Sequence, residues 1–238
     1  MKTAAPQRVA SPRKAPQAEA RRYAAEATAR AREPPSPRSH GHAQPLMRKL
    51  IVTNIISLDG YYVGPGGNVM VMPMDERFDA YNAERLAAAD TLLLGRNSYD
   101  MFRGFWPQMA DKPDATENER EISRLENAIE KLVVSDSLTM DETEPWQDTT
   151  RIVPRADAHE QSAQLKRADG GDILVFASRT LWNDLLGAGL IDELHFIVGS
   201  VVVGGGTSVF ATELPAPLKL LGTETWEGSD NVLVRYAA

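Results

Sequence analysis

Two short segments hold residues suited to gripping anions. Gly95-Arg96-Asn97-Ser98-Tyr99 follows the apolar run 91–94, and Ala177-Ser178-Arg179-Thr180 follows the apolar run 173–176. Each reads as a buried strand delivered into the first turn of a helix, where unpaired backbone N–H groups, hydroxyls and a guanidinium stand together. That is chemistry for holding phosphate. Two such corners on one chain point to a ligand with phosphates at two places, such as a dinucleotide.

Other common chemistries lack their residues. Gly204-Gly205-Gly206-Thr207-Ser208 has no lysine for a P-loop, no G-x-S-x-G elbow occurs, and Gly187-Ala188-Gly189 lacks the third glycine of a Rossmann fingerprint. With no cysteine, there is no disulfide, thiolate nucleophile or Cys-based metal site. In the body only His159 and His195 remain, in different elements, so no metal site is expected. A lone His195 on a strand is better read as solvated or packed than as a ligand.

The elements that must position the corners alternate. Strands are expected over 48–58, 91–94, 131–134, 151–153 and 172–176. Helices are expected over 75–89, 97–102, 117–130, 157–168 and 180–188. On the first helix Phe78, Tyr81, Arg85, Leu86 and Ala89 share one face, and Asp75 is placed to cap it. This order predicts an α/β domain with a mostly parallel central sheet flanked by helices. The last segments, 191–198, 218–226 and 231–236, read as strands without helices between the final two, so the sheet ends in an antiparallel hairpin.

The chain is 238 residues long, 42% hydrophobic and 25% charged, which suits one substantial core. Its apolar runs fall far short of the roughly 20 residues needed to cross a bilayer, so no membrane partner is expected. Residues 1–46 carry nine Lys/Arg against three Glu, a net +6, leaving the rest of the chain at −13. An acidic body repels nucleic acid, so a nucleic-acid partner is disfavoured. The first segment is rich in Ala, Arg and Pro and is expected to be a disordered basic extension, 1–46, ahead of one globular domain, 47–238. A transit peptide, a nucleic-acid arm and an inert extension compete for it. The inert reading is adopted because Met47 stands where a natural start would. Absence of cysteine is consistent with the cytoplasm.

A set of corners in order along the chain carries a specific resemblance: Ser57-Leu58-Asp59-Gly60, Leu94-Gly95-Arg96-Asn97-Ser98-Tyr99, Val134-Ser135-Asp136-Ser137, Phe176-Ala177-Ser178-Arg179-Thr180-Leu181-Trp182, Gly189-Leu190-Ile191-Asp192-Glu193-Leu194 and Val203-Gly204-Gly205-Gly206-Thr207-Ser208-Val209-Phe210. Together they resemble the dihydrofolate reductase-like superfamily, in the branch formed by the reductase domain of bacterial riboflavin biosynthesis and its stand-alone relatives. The similarity covers nearly all of 47–238.

The resemblance implies an NAD(P)H-dependent reductase that passes hydride to a C=N or C=O of a small heterocycle: a pterin, a pyrimidine or a riboflavin precursor. NADPH is the implied cofactor, with NADH as the alternative. A dinucleotide-binding regulator or scaffold without turnover is the rival reading. It implies cofactor contacts at Ser57, Asp59, Gly60, Gly95, Arg96, Asn97, Ser98, Ser135, Ala177, Ser178, Arg179, Thr180 and Leu181, with Arg96 on the 2′-phosphate and Ser98 on the pyrophosphate. The competing reading of Arg96 is an ordinary carboxylate pair. Asp136 is awkward beside a 2′-phosphate, because a carboxylate there suits a free ribose hydroxyl. Ala177-Ser178 replaces the family's usual glycine pair, and alanine tolerates positive φ poorly, so the peptide geometry of that pair is expected to be missing. Asp79, sixteen residues before Gly95, falls near the acid that grips pterin in dihydrofolate reductases and is the candidate catalytic residue. Trp106, Thr207 and Phe210 are candidates to line the substrate pocket, and the glycine-rich stretch 59–74 to act as a flap. A homodimer is implied, with the terminal strands as its contact, among them an apolar edge such as 232–234.

Overall fold

The computed structural model describes residues 48–214 and 217–238. The expected extension 1–46 lies outside the described residues. Among the described residues ten strands form: β1 Leu50–Ser57, β2 Tyr61–Val63, β3 Ala89–Gly95, β4 Glu130–Val134, β5 Thr150–Val153, β6 Asp172–Phe176, β7 Glu193–Gly199, β8 Thr207–Ser208, β9 Lys219–Thr225 and β10 Val232–Ala237. Eight of them make one sheet in the order β5-β4-β3-β6-β1-β7-β10-β9, parallel from β5 to β7 and antiparallel at β10 and β9. The α/β class and the closing hairpin follow the sequence expectation. The short β2–β8 ribbon is an addition that five residues could not signal.

Alternation along the strands splits the apolar side chains between two layers. Leu50, Val52, Leu93, Leu132, Val134, Ile173 and Val175 enter one cluster with Leu181, Trp182 and Leu185. The last three lie on α5 Arg179–Gly187, and α4 Ala158–Arg167 covers the same side through Ala158 and Leu165. Ile51, Leu92, Leu94, Val133, Leu174 and Phe176 enter the other with Leu86, Tyr99 and Ile122. Those last three come from α1 Glu76–Ala88, α2 Arg96–Phe105 and α3 Glu117–Ala128. Asp75 caps α1 by accepting the Phe78 N–H at 2.9 Å.

The hairpin corrects one expectation. β10 is paired on both sides, to β7 and β9, and Leu233 is fully buried. The strand 232–234 is therefore no edge; the outer strand is β9, with Leu220 and Leu221 about half exposed. No helix among the described residues is long and apolar enough to cross a membrane.

Candidate functional site

The site arises where the chain reverses direction across the sheet. After β3 the chain leads through α2 and α3 to β4 on one side, and after β6 it leads through α5 to β7 on the other. Those helices go to opposite layers, α2 with Tyr99 and α5 with Trp182. A crevice must open at the carboxyl ends of two such strands. Pairing of β3 with β6 indeed stops at Leu92–Leu174, although both strands run on to Gly95 and Phe176.

Two hydroxyls join the crevice walls. Ser98 Oγ accepts the Ser178 N–H at 2.8 Å, and Ser178 Oγ accepts the Gly95 N–H at 3.1 Å. Both serines are buried. Ser178 precedes α5 but gives it no side-chain cap; its hydroxyl serves the opposite corner. This exchange depends on left-handed backbone at Ala177 (φ +48°) and Ser178 (φ +49°). The expected loss of that geometry is thus corrected: alanine adopts positive φ here at a cost of roughly 1–2 kcal/mol, offset by the hydrogen bonds that the turn creates.

The cleft measures about 750 Å³, within the range of small-molecule sites. Gly95, Arg96, Asn97, Ser98, Ser178, Arg179, Thr180, Leu181 and Thr207 line it, so the structure brings together most of the residues singled out at both corners. The starts of α2 and α5 face it and contribute unpaired N–H groups and positive dipole ends; the turn leading into α4 also lines it, with its Arg155, Asp157 and Ala158 N–H groups already taken.

Several candidates do other work. The Arg96 guanidinium pairs with Asp100 and, at 3.0 Å, with Glu142; these two carboxylates raise its already high pKa. Arg96 therefore lines the cleft with much of its fork already engaged. Arg179 donates to the carbonyls of Ser208 and, at 2.9 Å, Phe210. Asn183 adds bonds to Val209 and Ala211, so α5 straps the segment carrying β8 against the cleft. Gly206 closes that segment at φ +119°, where a Cβ would sit 2.1 Å from the Val63 carbonyl oxygen.

Other expectations fail to reach the cleft. The Ser57 hydroxyl donates to Asp59, whose carboxylate accepts the Val203 and Gly204 N–H groups. These bonds hold the Asp59 pKa down at about 2, the Ser57 hydroxyl and the Gly204 N–H acting most strongly. Ser57, Asp59 and Gly60 thus staple the loop after β7 and do not line the cleft. The Ser135 oxygen is taken by the Ser137 and Leu138 N–H groups. Ala177 shapes the turn without lining the cleft. Phe210 packs its ring edge-on against Trp182 and Phe196. Trp106 belongs to the opposite layer, with Leu86 and Ile122. Asp79 lies away from the cleft, near Glu119 of α3, and burial first, then that neighbour, lifts its pKa to about 6. Of the two readings left for His195, solvated or packed, it is packed: 1% exposed, with Nδ1 2.8 Å from the Tyr81 hydroxyl and Nε2 2.8 Å from Glu193.

Sequence reasoning missed Tyr62, Asp184 and Arg155 in the lining. A signal for Arg155 was available. Gly95-Arg96, Pro154-Arg155 and Ser178-Arg179 each place an arginine one residue past a strand-to-helix junction. Among the described residues, no cluster of three or more His, Asp or Glu is placed to hold a metal.

Comparison with known proteins agrees with this architecture. Residues 48–234 match the model of the RibD C-terminal domain. The Bacillus subtilis (strain 168) protein YyaP, itself described as uncharacterized, is 28% identical over 180 residues, covering 75% of this chain and 89% of YyaP. Among solved structures, a protein of Shewanella sp. PV-4 named for riboflavin biosynthesis superposes with a TM-score of 0.57 at 21% identity, covering 79% of this chain and 98% of that one. The Thermotoga maritima diaminohydroxyphosphoribosylaminopyrimidine deaminase/5-amino-6-(5-phosphoribosylamino)uracil reductase gives 0.53 at 13% identity, over 80% of this chain and 56% of that longer one. Acinetobacter baumannii RibD gives 0.54 at 14%, over 80% and 58%. With this fold, and a family match running from the first strand into the last, the chain belongs to the RibD C-terminal domain family.

Proposed function

We propose that this protein is an NADPH-dependent reductase of a small pyrimidine-type heterocycle, with the dinucleotide lying along the cleft between the β3–α2 and β6–α5 corners. The observation that carries this reading is the reciprocal hydroxyl–amide lock of Ser98 and Ser178, which commits both corners to one cleft. Family membership supports it, as does the uracil reductase activity for which the Thermotoga protein is named.

The residues present fit such a group. Backbone N–H groups of Asn97, Ser98, Thr180 and Leu181 at the starts of α2 and α5 suit the pyrophosphate, helped by the Thr180 hydroxyl. When bound, the reduced nicotinamide supplies the hydride for a C=N or C=O of the substrate. The protein's own residues orient the partners and exclude water. Tyr62 and Thr207 form the ribbon end of the cleft, where the heterocycle is assigned. Burial pushes the Tyr62 phenol up to about 12, so it remains a hydrogen-bond donor throughout the physiological range.

The test is loss of NADPH fluorescence when the full chain is offered aminopyrimidinones, with and without a phosphoribosyl group, and dihydropterins. Oxidation that depends on a pyrimidinone is the expected result. Tight binding without turnover on any compound would replace the reductase by a dinucleotide-binding scaffold, and absence of binding would overturn the reading.

A further inference from the structure

We infer that Arg155, braced by Asp136, sets the preference of this cleft for a phosphorylated over a plain adenosine ribose. The inference rests on the dinucleotide reading above. Three arginines line the cleft, and their guanidiniums differ in what they already hold. Arg96 is tied to two carboxylates and Arg179 to two backbone carbonyls. Arg155 is 76% exposed, and its terminal nitrogens make no hydrogen bond among the described residues.

Asp136 explains how Arg155 is aimed. Its Oδ1 accepts the Arg155 backbone N–H at 2.9 Å, and its Oδ2 lies 3.5 Å from the guanidinium Nε. One carboxylate thus holds the backbone and lies beside the inner edge of the side chain, leaving the outer nitrogens without a partner among the described residues. A planar fork of this kind suits a phosphate dianion and gains little from a hydroxyl. The conflict of a carboxylate beside a 2′-phosphate is thereby eased, because Asp136 is paired with Arg155, which lines the cleft while Asp136 does not. Without Arg155 the same carboxylate would repel that phosphate and accept hydrogen bonds from ribose hydroxyls instead.

The pair therefore predicts a change of sign. Dissociation constants for NADPH and NADH are measured on the full chain by fluorescence titration, and for adenosine 2′,5′-bisphosphate and 5′-AMP by calorimetry. The wild type favours the phosphorylated member of each pair. Arg155→Ala weakens NADPH and the bisphosphate by about tenfold or more, leaves NADH and 5′-AMP within about twofold, and brings the preference to or past parity. Arg155→Lys, which keeps the charge without the fork, falls between. Adding Asp136→Asn to Arg155→Ala restores part of the NADPH affinity.

A wild type that prefers NADH overturns the inference, as does an NADPH-to-NADH ratio that Arg155→Ala leaves unmoved while Arg96→Ala erases it. Either result leaves the dinucleotide reading standing. A wild type that binds neither cofactor overturns both.

Discussion

Replacing Ser98 with alanine strands a buried donor. In the wild type the Ser178 N–H, on a residue only 6% exposed, is taken by Ser98 Oγ at 2.8 Å. Because Ser178 is fixed in left-handed backbone at the end of β6, it cannot turn that N–H elsewhere without breaking the turn. An unsatisfied buried amide costs about 1–3 kcal/mol. A domain of this size loses roughly 2–4 °C in melting temperature per kcal/mol, so a 2 kcal/mol loss lowers it by about 4–8 °C. Ser178→Ala removes the acceptor of the Gly95 N–H instead. Gly95 is only partly buried, so water can replace that bond, and the loss should be smaller, about 1 kcal/mol. Urea titration gives both free energies, with an unchanged denaturant slope confirming that the native state is compared with the same unfolded ensemble. A Ser98→Ala protein within about 1 °C of the wild type, or one more stable than Ser178→Ala, would refute the claim that these hydroxyls lock the two corners.

Four further outcomes follow from the same geometry. Gly206→Ala places a Cβ against the Val63 carbonyl at a positive φ; it should lower stability by about 3 kcal/mol and weaken substrate binding more than cofactor binding, read by calorimetric melting and separate titrations. Glu126 is fully buried with neither carboxylate oxygen hydrogen-bonded, and burial raises its pKa and lowers that of its partner Lys131. Glu126→Leu with Lys131→Met should match or exceed wild-type stability by about 1–4 kcal/mol in urea, whereas Lys131→Met alone should destabilise. Asp79 has a folded-state pKa lifted to about 6 by burial and Glu119, so it opposes folding once ionised; stability falls as pH rises from about 4 to about 6, and Asp79→Asn should abolish that slope in pH-dependent melts. Asp59 shows the opposite sign: held near 2 by Ser57 and Gly204, it supports the folded loop above about pH 4. That support is lost as pH falls toward 2, visible as faster exchange at the Val203 and Gly204 amides after correction for intrinsic rates.

The strands and helices were legible because their apolar spacing matches their period. Residues 172–176 become β6 with the same bounds, and β3 needs only the addition of flanking residues. The two corners were legible for a local reason, since a strand followed at once by Gly-Arg or Ser-Arg fixes where a helix begins. What a local pattern cannot give is the layer on which a helix lies. Trp106 and Asp79 were drawn toward the site by their types, yet Trp106 packs with Leu86 and Ile122, Asp79 sits near Glu119, and neither lines the cleft. Nor does a local pattern show where a hydroxyl or guanidinium spends its hydrogen bonds. Ser135, Arg96 and Arg179 have the right chemistry but partners of their own. Strand order decided the rest: residues 232–234 looked like an edge until β9 was paired outside them.

One ligand should bridge both corners, and hydrogen–deuterium exchange with and without NADPH tests this most directly. Protection should rise together at residues 95–98 and 178–181, with one saturation curve and one nucleotide per chain. Protection confined to a single corner, or two corners saturating at different concentrations, would contradict it.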